Sequence, residues 1–445
     1  MISAALSEAR RPLTPADVIA RLHFSAAPRN RPETKQRVSK ILWYEAQRRH
    51  GLYMAHGGGY VLRNRVEKAL RKRVKRDLAG MNLDFHRGGP KNRENTSKGE
   101  IRRLHNGARR EKLRACQQFL REHEADLVKS FADGAEIDIH QLHPRLEVVE
   151  SRTRASRLFR YATLLWSVPV SQGFGRRVRF LVWDRHTEKL LGLFALGDPV
   201  FNLNCRDQWI GWDYQHRTER LYNVMDVFVL GAVPPYNTLL GGKLIAMLAA
   251  SNEVRAVIAR RYKGQQTVIE KSKKDPRLAL LTTASALGKS ALYNRISYRG
   301  RVLYQSIGES KGFGHFHLDR SLFTALRQYV QATLGDGVGG NRFGDGPNWK
   351  IRTARSALEC LGMPGDLMRH GVRREIFGIP LAENFDAFLR QETSRLRLFD
   401  IPFDDVAEHW KQRWLMGRAE RKPEYRTFDR RAVSKAIHDA VALGE

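Results

Sequence analysis

Along the first third of the chain apolar residues recur every three or four positions, and from about residue 177 they gather into short continuous runs. The first spacing keeps one face of a helix apolar, whereas short apolar runs bounded by turns predict buried strands. In "TPADVIARLHF" Thr14 stands as an N-cap with Pro15 at the first helical position. "ETKQRVSKILWYEAQRR" predicts a second amphipathic helix, with Val38, Ile41, Leu42 and Ala46 sharing a face. "GLYMAHGGGYVLR" predicts two strands across a glycine turn. "RVEKALRKRVKRDLAG" permits a helix with Val66, Leu70, Val74 and Leu78 on one side. A loop-like stretch, "HRGGPKNRENTSKGE", then precedes a long charged helix expected from Glu100 to about Phe131.

Beyond residue 150 the runs "RVRFLVWD", "KLLGLFALGD" and "YNVMDVFVLG" predict strands. A helix is expected over "NTLLGGKLIAMLAASNEVRAVIARRY", a strand over "LALLTTAS" and a short helix over "KSALYNRISYRG". "VLYQSIG" and "GHFHL" predict further strands, and the remainder reads as helical. Strands followed by alternating helices and strands make a mixed α/β (α+β) fold. Four segments are expected: a winged-helix DNA-binding domain over 1–64, a basic helical arm over 65–150, an α/β core over 151–335 and a helical region over 336–445.

Charge changes this picture most. With 78 Lys+Arg against 47 Asp+Glu, the formal net charge is +31, which favours polyanions and makes such binding salt-dependent. A protein basic by lineage alone is the other reading. A helix, turn, basic helix and glycine-tipped hairpin is the order of a winged helix, which would set Lys35, Gln36, Arg37 and Lys40 against DNA. The same unit could instead dock a protein. Arg71, Lys72, Arg73, Lys75 and Arg76 are further candidate phosphate contacts, or else a solvated helix face. The three cysteines, without a Cys-x-x-Cys, argue against a disulfide framework and a structural zinc site. No apolar run reaches 18 residues and the start lacks a signal-peptide core, so a cytoplasmic protein without membrane partners is expected.

Candidate chemistry centres on "LGDPVFNLNCRDQWIGWD" and on the strand after it. Asp198 and Asp213 end apolar stretches, and Asp226 lies inside a strand, where a carboxylate must be hydrogen-bonded, paired or metal-bound. If their strands are neighbours, Asp198 and Asp226 could hold Mg²⁺ or Mn²⁺ for phosphodiester chemistry. An arginine pairing Asp226 is the alternative. Tyr293, between Lys289 and Arg295, is a candidate nucleophile or acid, or a core tyrosine. His315 and His317 share one face of an expected strand, as a partial metal site or as polar packing. In "RFGDGPNWKIR", Asn348, Trp349 and Arg352 suit a nucleic-acid backbone and base, although Asp345 could simply fix the turn.

Long motifs carry a resemblance. "LFRYATLLWSVPVSQGFGRRVRFLVWD", "LLGLFALGDPVFNL", "RDQWIGWD", "LYNVMDVFVLGAVPPYN", "TTASALGKSALYNR" and "RFGDGPNWKIR" resemble the DruA family of the Druantia anti-phage systems over roughly residues 100–395. The resemblance implies a role in defence and leaves the reaction open; DNA is the partner expected from the charge, together with other defence proteins such as a helicase. The core order is also similar to the GNAT acetyltransferases. In their pyrophosphate turn Gly241 falls correctly, but Thr238 replaces Gln/Arg and Lys243 replaces the second small residue, while Leu292-Tyr293 matches their Leu-Tyr. A GNAT-like core is therefore expected without acetyl-CoA. Three functions fit these features: a DNA-processing enzyme, a non-catalytic DNA sensor that recruits partners, and a group transferase.

Overall fold

The first helix starts where its cap predicts. In the computed structural model the backbone N–H of Thr14 donates to Asp17 Oδ2 at 2.9 Å and that of Asp17 to Thr14 Oγ1 at 3.2 Å, closing the turn that opens α1 (Pro15–Arg21). The structure describes residues 5–6, 12–21, 32–47, 53–56, 59–79, 97–170, 173, 175–267, 271–310, 312, 318, 320–334, 349–368 and 370–442. After α1 come α2 (Pro32–Gln47), the antiparallel strands β1 (Tyr53–His56) and β2 (Gly59–Leu62), and α3 (Arg63–Ala79). The expected charged helix is two, α4 (Lys98–Arg114) and α5 (Gln117–Leu127), parted by a turn at Ala115–Cys116.

β3 (Pro144–Val148), α6 (Arg154–Ala162), β4 (Arg177–Asp184) and β5 (Lys189–Gly197) come next. Two short helices, α7 (Asn204–Ile210) and α8 (Tyr214–Arg220), occupy the polar stretch that reads as loop in the sequence. β6 (Val224–Ala232) then leads to α9 (Gly241–Leu248) and α10 (Asn252–Tyr262), where one continuous helix was expected. The break is held from outside: Asn252 N–H donates to the Ile401 carbonyl, and Asn252 Oδ1 accepts the Ile401 N–H, both at 2.9 Å. β7 (Leu280–Ala284) is followed by turns, not by the short helix expected over 289–300. Ser290 Oγ accepts the N–H groups of Leu292 and Tyr293, each at 3.1 Å, which takes those donors from a helix.

The hairpin β8 (Ser297–Tyr298) and β9 (Arg301–Val302) leads to β10 (Gln305–Glu309), α11 (Arg320–Leu334) and α12 (Trp349–Cys360). β11 (Glu375–Pro380), α13 (Phe385–Leu389), α14 (Phe403–Trp410), α15 (Met416–Arg421) and α16 (Arg431–Ala442) complete the chain. The expected strand "GHFHL" lies outside the described residues except for its last, Leu318, which is in a bend.

The chain groups into two compact units, one of residues 1–93 with 312–371, the other of 94–311 with 372–445. This grouping is not collinear with the four expected segments, because apolar faces distant in sequence find each other. In the first unit Leu70 and Val74 of α3 pack in one core with Leu322, Leu326 and Val330 of α11 and Leu358 of α12. α3 is therefore a wall of that core, and only its opposite face is available to solvent.

The second unit is built on a seven-stranded mixed sheet of order β10-β11-β7-β6-β5-β4-β3. Its strands pair antiparallel except β6 with β7, which run parallel with α9 and α10 between them in sequence. Two strands come from outside the expected core, β3 before it and β11 after it. One face packs Phe194, Leu196, Met225 and Val227 against Leu244 and Leu248 of α9; the other packs Leu193, Ala195 and Val229 against Phe159 and Ile437. Among the described residues no helix is long and apolar enough to cross a membrane.

Candidate functional site

Strand register assembles the site around Asp226. Arg177 pairs with Gly197, Gly197 with Asp226, Asp226 with Thr282, Thr282 with Gly378, and Gly378 with Gln305. Cross-strand partners project to the same face, so this row lines up across six strands. Asp226 Oδ1 accepts from Thr282 Oγ1 at 2.9 Å. Desolvation pushes its carboxyl up to about 6, and the Thr282 hydrogen bond and the charges of Arg206 and Arg177 only partly oppose this. α7 packs over the far end of the row. Gly378 is required there, since a Cβ would overlap the indole of Trp209. The Arg177 guanidinium lies over the Phe228 ring at 3.9 Å.

β5 and β6 are neighbours, as the pairing of Asp198 with Asp226 requires, but Asp198 is engaged elsewhere. Its Oδ1 accepts from Arg176 Nε at 2.7 Å and its Oδ2 from the Arg176 backbone N–H at 2.8 Å. That guanidinium in turn lies 3.8 Å from the ring centre of Tyr222. Asp213 is an N-cap: its Oδ1 accepts the His216 N–H at 2.8 Å at the start of α8, and this bond leads the causes that hold its carboxyl below the usual range.

Tyr293 lies on the other face of the sheet from Asp226, stacked on Tyr304 at 4.9 Å and edge-on to Phe377 at 5.1 Å. Burial pushes its hydroxyl up to about 12, against a hydrogen bond with Thr283. Asp226 and Tyr293 are thus brought close through one strand pair but face apart, since Thr282 and Thr283 are consecutive. His315 and Asn348 lie outside the described residues. Among the described residues no group of three or more His, Cys, Asp and Glu is placed to hold a metal ion.

A second arrangement surrounds Arg206, which is fully buried. Its guanidinium donates to the carbonyls of Val200 and Phe201, each at 2.8 Å, and to Asp207 Oδ1 at 2.7 and 2.9 Å. Asp207 also accepts from Trp212 Nε1 at 2.9 Å, from the Leu203 N–H at 3.1 Å and from Arg217 at 3.1 Å. A largely covered carboxylate and a buried guanidinium, each using several partners, hold this loop together. Arg177, Arg206, Asp207 and Thr282 were not among the expected site residues. "NCRDQ" holds the only local signal, an Arg-Asp neighbour pair, and the rest needs the strand register.

The predicted basic residues divide by role. Arg71 Nε donates to the Leu361 carbonyl at 2.7 Å and Arg73 to Ser321 Oγ, so both tie α3 to its own unit. Arg76 pairs with Asp77 at 2.9 Å but is exposed, as are Lys72 and Lys75. Gln36, Arg37 and Lys40 are exposed on α2 while Val38 and Leu42 are buried; Lys35 lies in the first turn of the same helix. Trp349 opens α12 edge-on to Phe323 at 5.4 Å, with Arg327 5.0 Å from its ring centre. Arg352 lies one turn on, partly buried, and its Nε and Nη2 atoms make no hydrogen bond.

The family model described as Druantia protein DruA matches residues 95–391. A relative, the Druantia protein DruA of Escherichia coli (strain UMEA 4076-1), is 43% identical over 369 residues, covering 83% of this chain and 91% of that protein. No solved structure matches the chain. The Asp226 row and the Arg206 loop both fall within the matched residues, and so does the seven-stranded sheet that carries them. On this agreement over most of its length, the chain belongs to the DruA family of Druantia anti-phage defence proteins.

Proposed function

We propose that this chain is a DNA-binding component of its defence system, engaging the phosphate backbone through the solvent faces of α2 and α3. The carrying observation is the stripe on α3: Lys68, Lys72 and Lys75 are exposed at helical spacing, opposite the buried Leu70 and Val74. Three ammonium groups on one helix face attract a polyanion and release its counterions on binding. The order α1, α2, β1–β2 supports a winged-helix mode of docking, with Lys35, Gln36, Arg37 and Lys40 toward the groove. Asn348, Trp349 and Arg352 belong to the same reading as a further nucleic-acid contact.

The test is a salt titration of duplex binding by the full chain and by a Lys68→Glu/Lys72→Glu/Lys75→Glu variant. The logarithm of affinity falls steeply with the logarithm of salt for the first, and the slope shrinks by roughly 3 for the variant, at about one per phosphate contact. A flat dependence in the wild type overturns the proposal.

A catalytic reading has one favourable observation. A carboxyl pushed up to about 6 exchanges its proton near neutrality, which suits Asp226 to general acid–base work on DNA. Metal-assisted cleavage through Asp198 and Asp226 has weaker support, because Arg176 takes both oxygens of Asp198 and two arginine charges already act on Asp226. Plasmid and single-stranded DNA incubated with Mg²⁺ or Mn²⁺ separate the readings: nicking lost in Asp226→Asn favours the enzyme, and intact DNA favours a sensor that recruits partners such as a helicase.

Group transfer has the least support. The order along the chain, β4 to β6, then α9 and α10, then β7, supports a GNAT-like core. However, Lys243 Nζ donates to the carbonyls of Leu292 and Asn294 at 3.0 and 3.2 Å, beside the turn that would take a pyrophosphate. A thermal shift on adding acetyl-CoA would reverse that ranking.

A further inference from the structure

The Arg206 loop exposes what loops usually hide. Val200 is 60% exposed, Phe201 40% and Tyr214 68%, in a region otherwise anchored by a fully buried guanidinium. Mobile loops can expose apolar rings at random, but here Arg206 and Asp207 hold the backbone of Val200, Phe201 and Leu203 through several charged hydrogen bonds. The two rings meet edge-on at 5.8 Å, and the Arg217 guanidinium lies 4.7 Å from the Phe201 centroid and 5.5 Å from that of Tyr214. Arg217 is itself fixed by Asp207 at 3.1 Å. The result is a preorganised aromatic pair backed by a cation.

A basic segment borders it. Lys274 Nζ donates to the Thr218 carbonyl of α8 at 3.4 Å, and Asn223 Nδ2 holds the carbonyls of Asp275 and Arg277 at 3.0 and 2.8 Å. Lys271 and Lys273 of the same segment are exposed. Of the acids nearby, Asp275 is paired with Arg277 at 2.7 Å, Asp213 accepts from the backbone N–H of His216 and lies by its Nδ1, each at 2.8 Å, and the exposed Glu219 of α8 accepts from Gln391 Nε2 at 2.6 Å. Rigid exposed rings beside lysines match a single strand, whose bases stack on aromatic faces while its phosphates follow cations.

We infer that Phe201 and Tyr214 form a stacking platform for an unpaired base of single-stranded nucleic acid, with Arg217 and the Lys271–Arg277 segment beside its phosphates. This rests on the nucleic-acid reading above and adds to it a second site, on the other unit, with a different preferred form of DNA.

The test compares the full chain with Tyr214→Ala, Tyr214→Trp and Lys72→Glu/Lys75→Glu variants by anisotropy, using a labelled oligothymidylate and a duplex of equal length. The ratio of single-strand to duplex affinity falls about tenfold in Tyr214→Ala, as expected for one lost base stack, and is kept in Tyr214→Trp. Tyr214 is mostly solvent-exposed, so both variants fold, which their melting temperatures check. An unchanged ratio in Tyr214→Ala overturns the platform, and so does a tryptophan variant that behaves like alanine. If the lysine variant then still loses duplex affinity, only the platform has failed. A wild-type chain that binds neither probe overturns both readings.

Discussion

The two units use positive charge in opposite ways. In the second unit four arginines are spent on the protein itself: Arg176 on Asp198, Arg206 on Asp207, Arg390 on Glu392 and Arg430 on Asp133. On α3 of the first unit, Arg71 and Arg73 are likewise inward ties, but Lys68, Lys72 and Lys75 stand in solvent. Residue chemistry explains the split. A guanidinium offers a planar fork of donors and tolerates burial beside carboxylates and rings, whereas an ammonium is a strongly hydrated point charge. A net charge of +31 is thus a poor measure of how much charge a partner meets.

The comparison can be broken most sharply at Arg206. Replacing it with Met takes one of two cations from Asp207, which keeps Arg217, Trp212 and the Leu203 N–H, and strands the Val200 and Phe201 carbonyls, at a cost of about 3–5 kcal/mol in urea unfolding. A loss below about 1 kcal/mol would mean that the loop does not depend on it.

Asp226 comes next. Its folded pKa lies above the unfolded value, so its contribution to stability is fully present below the unfolded pKa and is lost as pH rises through 6. Asp226→Asn therefore raises stability by about 3 kcal/mol at pH 8 and by less than about 1 kcal/mol at pH 4, the rise from the ordinary 3.8 to about 6 being worth the larger figure. Equal effects at both pH values would show that the carboxyl titrates normally.

On the first unit, Lys72→Glu/Lys75→Glu leaves the melting temperature within about 2 °C of wild type, since exposed charges contribute little to stability, while duplex affinity drops at least about tenfold at 0.1 M salt. A destabilised fold with intact binding would reverse the comparison. The smallest effect is expected at Arg431, 90% exposed in its pair with Asp429: Arg431→Ala should move neither melting temperature nor affinity.

What could be read in the sequence was local. β4, β5, β6 and β7 are apolar runs bounded by turns, and Leu70 and Val74 mark the inner face of α3 by spacing alone. β11 is hidden because "EIFGIP" sits among residues with helical composition, and its neighbours β7 and β10 supply the partners. α7 and α8 are seven residues each and polar, too short to show a period; Arg206 and the Asp213 cap define them instead. Asp226 was legible as an odd carboxylate in a strand. That it faces Thr282, and that Asp198 turns to Arg176, depends on pairings separated by 56 and 22 residues.

The core shared by α3, α11 and α12 has a consequence during synthesis. Leu70 and Val74 leave the ribosome early, yet their partners, from Leu318 to Met368, emerge only after most of the second unit has been made. At roughly 5–20 residues per second the nascent N-terminal segment waits on the order of 15–60 s with an apolar stripe uncovered beside a dense row of lysines and arginines. The order of translation thus delays completion of the first unit until residues 94–311 of the second have been made.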